Sequence, residues 1–95
     1  MTTFIMTGRY SAEAIKQISA ERTTQGIEII ERCGGKLVTA YATMGETDLL
    51  LIVEFAGASE AIKASIALNK ALGITFATAP ALRVEDFDKL VGAKA

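Results

Sequence analysis

Lys36-Leu37-Val38-Thr39-Ala40-Tyr41-Ala42-Thr43 and Asp48-Leu49-Leu50-Leu51-Ile52-Val53-Glu54-Phe55 flank the short polar stretch Met44-Gly45-Glu46-Thr47. Both flanks are rich in aliphatic, β-branched and aromatic residues, and a glycine lies between them. Runs of this length around a glycine-bearing break read as the two strands of an antiparallel hairpin. The rest of the chain is placed by its relation to that hairpin.

Before it, Thr3 to Tyr10 has strand composition, and Ser11 follows as an N-cap with Glu13 in the first helical turn. Ala14, Ile15, Ile18, Ile27 and Ile30 keep roughly helical spacing. Ser19 to Gly26 is polar and contains the poor helix formers Thr23, Thr24 and Gly26, so one long helix with a weak middle and two helical pieces are both open. Cys33-Gly34-Gly35 ends the segment. After the hairpin, a helix opens at Ala58 or Ser59, carries Ile62, Ser65, Ile66, Asn69 and Leu72 on related faces, and stops at Gly73. Ile74 to Leu82 is a fourth strand, and Pro80, lacking a backbone donor, places it at a sheet edge. Val84 to Val91 makes a terminal helix, and residues 92–95 are expected to fray. The order is β-α-β-β-α-β with a helical tail. Right-handed crossovers leave a gap between the first and second strands that the third fills. That is an α+β, ferredoxin-like arrangement in one domain spanning residues 1–95: an antiparallel sheet with both helices on one face.

Composition narrows the function classes. A domain of 95 residues removes only roughly 60–65% of its unfolded surface from water. Yet 51% of its residues are hydrophobic and the mean hydropathy is +0.34, an apolar surplus that points to a partner subunit. Lys plus Arg number 10 against 11 Asp plus Glu, with no basic stripe, so no nucleic-acid partner is expected. Cys33 is the sole cysteine, which fits a reducing compartment. The start Met1-Thr2-Thr3-Phe4 lacks signal-peptide character, and the longest aliphatic run, Leu49 to Val53, cannot span a bilayer. A cytoplasmic protein without membrane contact is expected. With no histidine and one cysteine, zinc or copper sites and histidine-activated nucleophiles are disfavoured. Gly34-Gly35 follows a helix instead of preceding one, so it is no phosphate loop. No cofactor and no metal are expected.

Alternation gives each strand two faces. Phe4, Met6 and Gly8 oppose Ile5, Thr7 and Arg9; Leu49, Leu51, Val53 and Phe55 oppose Leu50, Ile52 and Glu54. In the second strand Val38, Ala40 and Ala42 oppose Leu37, Thr39, Tyr41 and Thr43. Two helices cover one face, leaving Ile5, Leu37, Leu50, Ile52 and Tyr41 on the other. Either the terminal helix folds over that patch or a second copy pairs with it, and the patch size favours pairing.

Gly8-Arg9-Tyr10-Ser11, Gly34-Gly35-Lys36-Leu37, and Tyr41-Ala42-Thr43-Met44-Gly45-Glu46 closed by Asp48 resemble the GYD-domain family of small bacterial and archaeal proteins. The likeness runs from about Thr3 to Leu90. The family pattern at the turn is Gly-x-Tyr-Asp, and Thr47 stands where tyrosine is expected. The resemblance implies a dimeric α/β barrel, a homodimer or higher oligomer, and no particular reaction.

The strand directions bring Arg9, Thr43, Glu46 and Asp48 to one rim, with Tyr41 on the same face as Arg9 and Thr43. There Arg9 offers a forked donor to a carboxylate and Tyr41 an apolar wall with a polar tip. The plainer reading pairs Arg9 with Asp48 or Glu46 while Asp48 braces the turn. Glu54 is read either as a buried base or as an ion-pair partner of Arg83 or Lys36. The function that fits is a non-enzymatic, small homo-oligomeric module binding a small organic ligand between paired sheets. The alternative is a cofactor-free dimeric α/β-barrel enzyme of oxygenase or isomerase type, which rests on fold analogy.

Overall fold

Strand β1 (Thr2–Tyr10) is an interior strand, hydrogen-bonded to a neighbouring strand on each side, in the computed structural model, which describes residues 1–92. The further elements are α1 (Ala12–Ile15), α2 (Ala20–Arg32), β2 (Lys36–Ala42), β3 (Leu49–Phe55), α3 (Ala58–Leu72), β4 (Ile74–Ala81) and α4 (Val84–Gly92). The four strands lie in the order β2-β3-β1-β4, every neighbouring pair antiparallel. This is the ferredoxin-like α+β topology, and Pro80 does sit on an edge strand. The expectation of a frayed tail at residues 93–95 lies outside the described residues.

The first helical region is two pieces. Ser11 Oγ accepts from Ala14 N at 3.0 Å and starts α1; Ser19 Oγ accepts from Arg22 N at 3.2 Å and starts α2. Two caps eight residues apart demand a break between them, and Lys16 to Ser19 supplies it. On α3 the buried face is Ala61, Ala64, Leu68 and Leu72. Ile62 and Ile66, which the helical spacing groups on related faces with the buried Leu72, are 57% and 52% exposed. Alanines set the contact because they let the helix lie close over the sheet. Gly73, with φ 69°, ends α3 in the left-handed conformation, and its N–H donates to Asn69 O at 2.9 Å.

The β2–β3 register contains one irregularity that rearranges the faces. Leu37 pairs with Val53, but Thr39 already pairs with Ile52, so Val38 is the extra residue of a bulge. Leu37 therefore packs with the core on the helix side, not on the helix-free face as strict alternation requires. Beyond the bulge, Thr39 and Tyr41 stay on the helix-free face, opposite Ile52 and Leu50.

The core joins Phe4, Met6, Leu51, Val53 and Phe55 of the sheet to Ile30 of α2 and the inner face of α3. Phe4 and Phe55 meet edge to face at 6.0 Å. A Cβ on Gly35 would collide with the Phe55 ring, so the α2–β2 connection needs glycine there. Helix α4 has no buried residue: Val84, Phe87, Leu90 and Val91 are all more than half exposed. It does not fold over the helix-free face. Its projection is reflected in a radius of gyration of 14.5 Å, against ~12 Å for a compact domain of this length. No helix of the described residues is long and apolar enough to cross a membrane.

Leu51→Ala is expected to cost about 2–5 kcal/mol, through lost burial and the cavity left behind. Thr39→Ala is expected to be milder, since it removes one methyl and one hydroxyl from the opposite face. Denaturant melts at matched concentration check the ranking; the reverse order would mean the faces are inverted.

Candidate functional site

The hairpin turn is sewn to the end of β1 by Asp48. Its N–H donates to Gly8 O at 2.8 Å, and its carbonyl accepts from Thr43 N at 2.8 Å. Its carboxylate Oδ2 accepts from Tyr10 N at 2.9 Å. Thr43 Oγ1 donates to Thr47 O at 2.6 Å across the turn. Thr43 and Asp48 are thus brought together in a turn-bracing network, with Glu46 exposed beside them. Arg9 is exposed and opposite Thr75 in the register. The ion pairs among the described residues are Arg32–Glu28 and Arg83–Glu85, so Arg9 bonds neither Asp48 nor Glu46. The Asp48 carboxylate is spent on backbone instead. Arg83 is held by Glu85 at 3.1 Å and does not reach Glu54, which lies opposite Lys36 at the other end of the sheet. Tyr41 is 58% exposed on the helix-free face.

On the helix side lies a hollow of about 110 Å³ between α2 and the sheet. Ile30, Leu51, Leu68 and Ile74 form its apolar interior, while Tyr10, Ser19, Arg22 and Thr23 stand among its polar lining. Gly26 on α2 and Ala40 on β2 add little bulk to it, which is why the space stays open. Arg22 donates through Nη2 to Leu72 O at 2.8 Å, tying α2 to the last turn of α3. Arg22 also lines a neighbouring, more polar hollow of about 160 Å³ with Ser11, Glu13 and Gln17. Arg9, Tyr41, Thr43, Glu46 and Asp48 border neither space. Tyr10 falls in the family-like segment Gly8-Arg9-Tyr10-Ser11, but no local signal in the chain places it or Arg22 at a hollow. Arg22 reads as one charge in a polar helical stretch, and only the α1–α2 break turns it toward the sheet.

Tyr10 links the two regions. Its backbone is bonded to Asp48 and its side chain lines the hollow. Burial pushes its phenol pKa above the ordinary tyrosine value; the Asp48 charge adds to the rise and Arg22 opposes it. The folded protein therefore holds this proton to higher pH than the unfolded chain. The associated stability is complete below the unfolded value of about 10 and is lost as pH rises through the folded one. The chain has two tyrosines, so Tyr41→Phe leaves Tyr10 alone to report. Tyrosinate absorbance of that variant is expected to titrate at higher pH folded than in denaturant; an equal or lower folded midpoint would contradict the placement of Tyr10.

Set against solved structures, the fold is similar to the crystal structure of the Mycobacterium tuberculosis leucine response regulatory protein, with a TM-score of 0.57 at 10% identity. The match covers 86% of this chain and 51% of that one, so the chain spans about half the length of the regulator. At that identity the likeness is one of fold. No curated protein matches the chain. The model of the GYD domain matches residues 4–91, from the first buried residue of β1 into α4. With β2, β3, β4, all but the first two residues of β1, and both covering helices inside that match, the chain belongs to the GYD domain family.

Proposed function

We propose that the chain is a homodimeric module whose helix-free sheet faces pack together and hold a small organic ligand at their edge. The observation that carries this reading is the layout of that face. Two rows cross all four strands: Thr39, Ile52, Ile5, Ala79 and Tyr41, Leu50, Thr7, Ala77. Charged side chains stand only beyond them, Lys36 and Glu54 at one end and Arg9 at the other. The face is therefore apolar and hydroxyl-bearing in the middle and charged at its ends, as a sheet-packing surface requires.

The rows are also lopsided. Tyr41, Leu50 and Ile52 on β2 and β3 are bulky, and Ala77 and Ala79 on β4 are small. A two-fold axis lying between two such sheets and along the strands sets β2 against β4 and β3 against β1. Tyr41 then meets Ala77 and Leu50 meets Thr7 across the interface, while Ile52 packs on Ile5, so the face can pair with itself. The exposed apolar residues of α4 add surface for the same partner. On this reading Arg9 and Tyr41, with Thr43, Glu46 and Asp48 at the turn, border the opening between the paired sheets, and Arg9 receives an anionic group of the ligand.

Sedimentation at micromolar concentration is expected to give a dimer or higher oligomer. Leu50→Asp, which places a charge in the middle of the face, is expected to give a monomer with an unchanged circular dichroism spectrum. A monomeric parent protein would defeat the reading, as would a Leu50→Asp protein that remains assembled.

A further inference from the structure

We infer that the hollow between α2 and the sheet is a binding site for a small organic acid, its carboxylate held by Arg22 and its short branched chain or single ring in the apolar interior. The site lies within one protomer on the helix side of the sheet, so it does not depend on the sheet pairing proposed above.

Size sets the ligand class. The hollow measures about 110 Å³. An apolar protein cavity of about 150 Å³ holds benzene, and a single water needs only ~10–15 Å³. The space therefore suits a group of roughly five or six heavy atoms. Its interior of Ile30, Leu51, Leu68 and Ile74 offers such a group dispersion contacts and no hydrogen-bond partner.

Charge sets the head group. Arg22 is the one charged residue among those lining the hollow. A guanidinium carries five N–H donors, and a single bond, to Leu72 O, is formed. No carboxylate lies within ion-pair distance of Arg22 among the described residues. Of the negative groups nearby, Asp48 accepts from Tyr10 N, and Glu13 borders the adjoining hollow with Arg22 without coming within ion-pair distance of it. The lining hydroxyls of α2 are committed to its first turn, Ser19 Oγ accepting from Arg22 N and Thr23 Oγ1 donating to Ser19 O. The Tyr10 phenol has no hydrogen-bond partner among the described residues, which leaves it as a second donor beside the guanidinium. A partly buried cation with spare donors above an apolar space selects an amphipathic anion over a neutral or cationic molecule.

Titration calorimetry and thermal shift with benzoate and 3-methylbutanoate, each beside its neutral amide, test the site. The acids are expected to bind and raise the melting temperature, and the amides to bind at least about tenfold more weakly, the difference a charge-assisted hydrogen bond makes. Arg22→Gln is expected to erase the preference for acid over amide. Ala40→Phe fills the hollow from the exposed edge strand and is expected to abolish binding of both, with the circular dichroism spectrum showing that the fold persists. Arg9→Ala is expected to leave binding unchanged. Failure of both acids to bind would overturn the inference, as would binding that survives Ala40→Phe. Binding lost with Arg9→Ala but kept with Arg22→Gln would overturn it too, and would place the acid at the paired-sheet opening instead.

Discussion

A four-stranded sheet has two faces, and this chain supplies a helical layer for only one of them. β3 makes the consequence unavoidable, because Leu49 to Val53 is an unbroken aliphatic run whose side chains leave the strand in both directions. Leu51 and Val53 find α2 and α3, and are buried. Leu50 and Ile52 find only their neighbours within the sheet and remain part-exposed. No rearrangement of the two helices removes that imbalance, since α3 is already committed through Ala61, Ala64 and Leu68. Part of the apolar surplus seen in the composition thus lies on the helix-free face, and the proposed sheet pairing answers that part.

The bulge at Val38 decides how that surface is furnished. Without it, Leu37 would join Leu50 and Ile52 on the open face and leave the core one side chain short. With it, Leu37 turns inward, while Tyr41 and Thr39 stay outward and give the open face its aromatic and hydroxyl content. A single extra residue on an edge strand thereby settles the composition of both faces, and sheet edges are where bulges that re-aim a side chain are most common.

Asp48 and Tyr10 connect the hairpin, the end of β1 and the space beneath α2. The carboxylate that braces the turn also bears on the Tyr10 phenol, and Arg22 bears on it from the other side. The two proposed ligand positions, the opening between paired sheets and the hollow under α2, accordingly lie on opposite faces of one stretch of β1: Arg9 points to the first, Tyr10 to the second. Adjacent residues on a strand serve different compartments because the side-chain period is two.

The sequence by itself determined the element order, the hairpin, the edge position of β4 and the face on which Ile5, Leu50 and Ile52 lie. All of these follow from local composition, turn chemistry and strict alternation, which act over a few residues. It also carried the family, through the glycine-bearing segments around Tyr10, Gly35 and the turn. Tertiary structure alone decided the rest. The inward face of α3 was set by how closely alanine lets a helix approach a sheet, so Ile62 and Ile66 face out despite their hydrophobicity. The side occupied by Leu37 was set by a bulge that leaves no composition signal. The hollow stays open because two small residues 14 apart in the chain, Gly26 on α2 and Ala40 on β2, both line it. Arg22 stands at it because a backbone break between two serine caps reoriented α2. Each of these outcomes depends on distances between elements remote in sequence, which a pattern read along the chain does not contain.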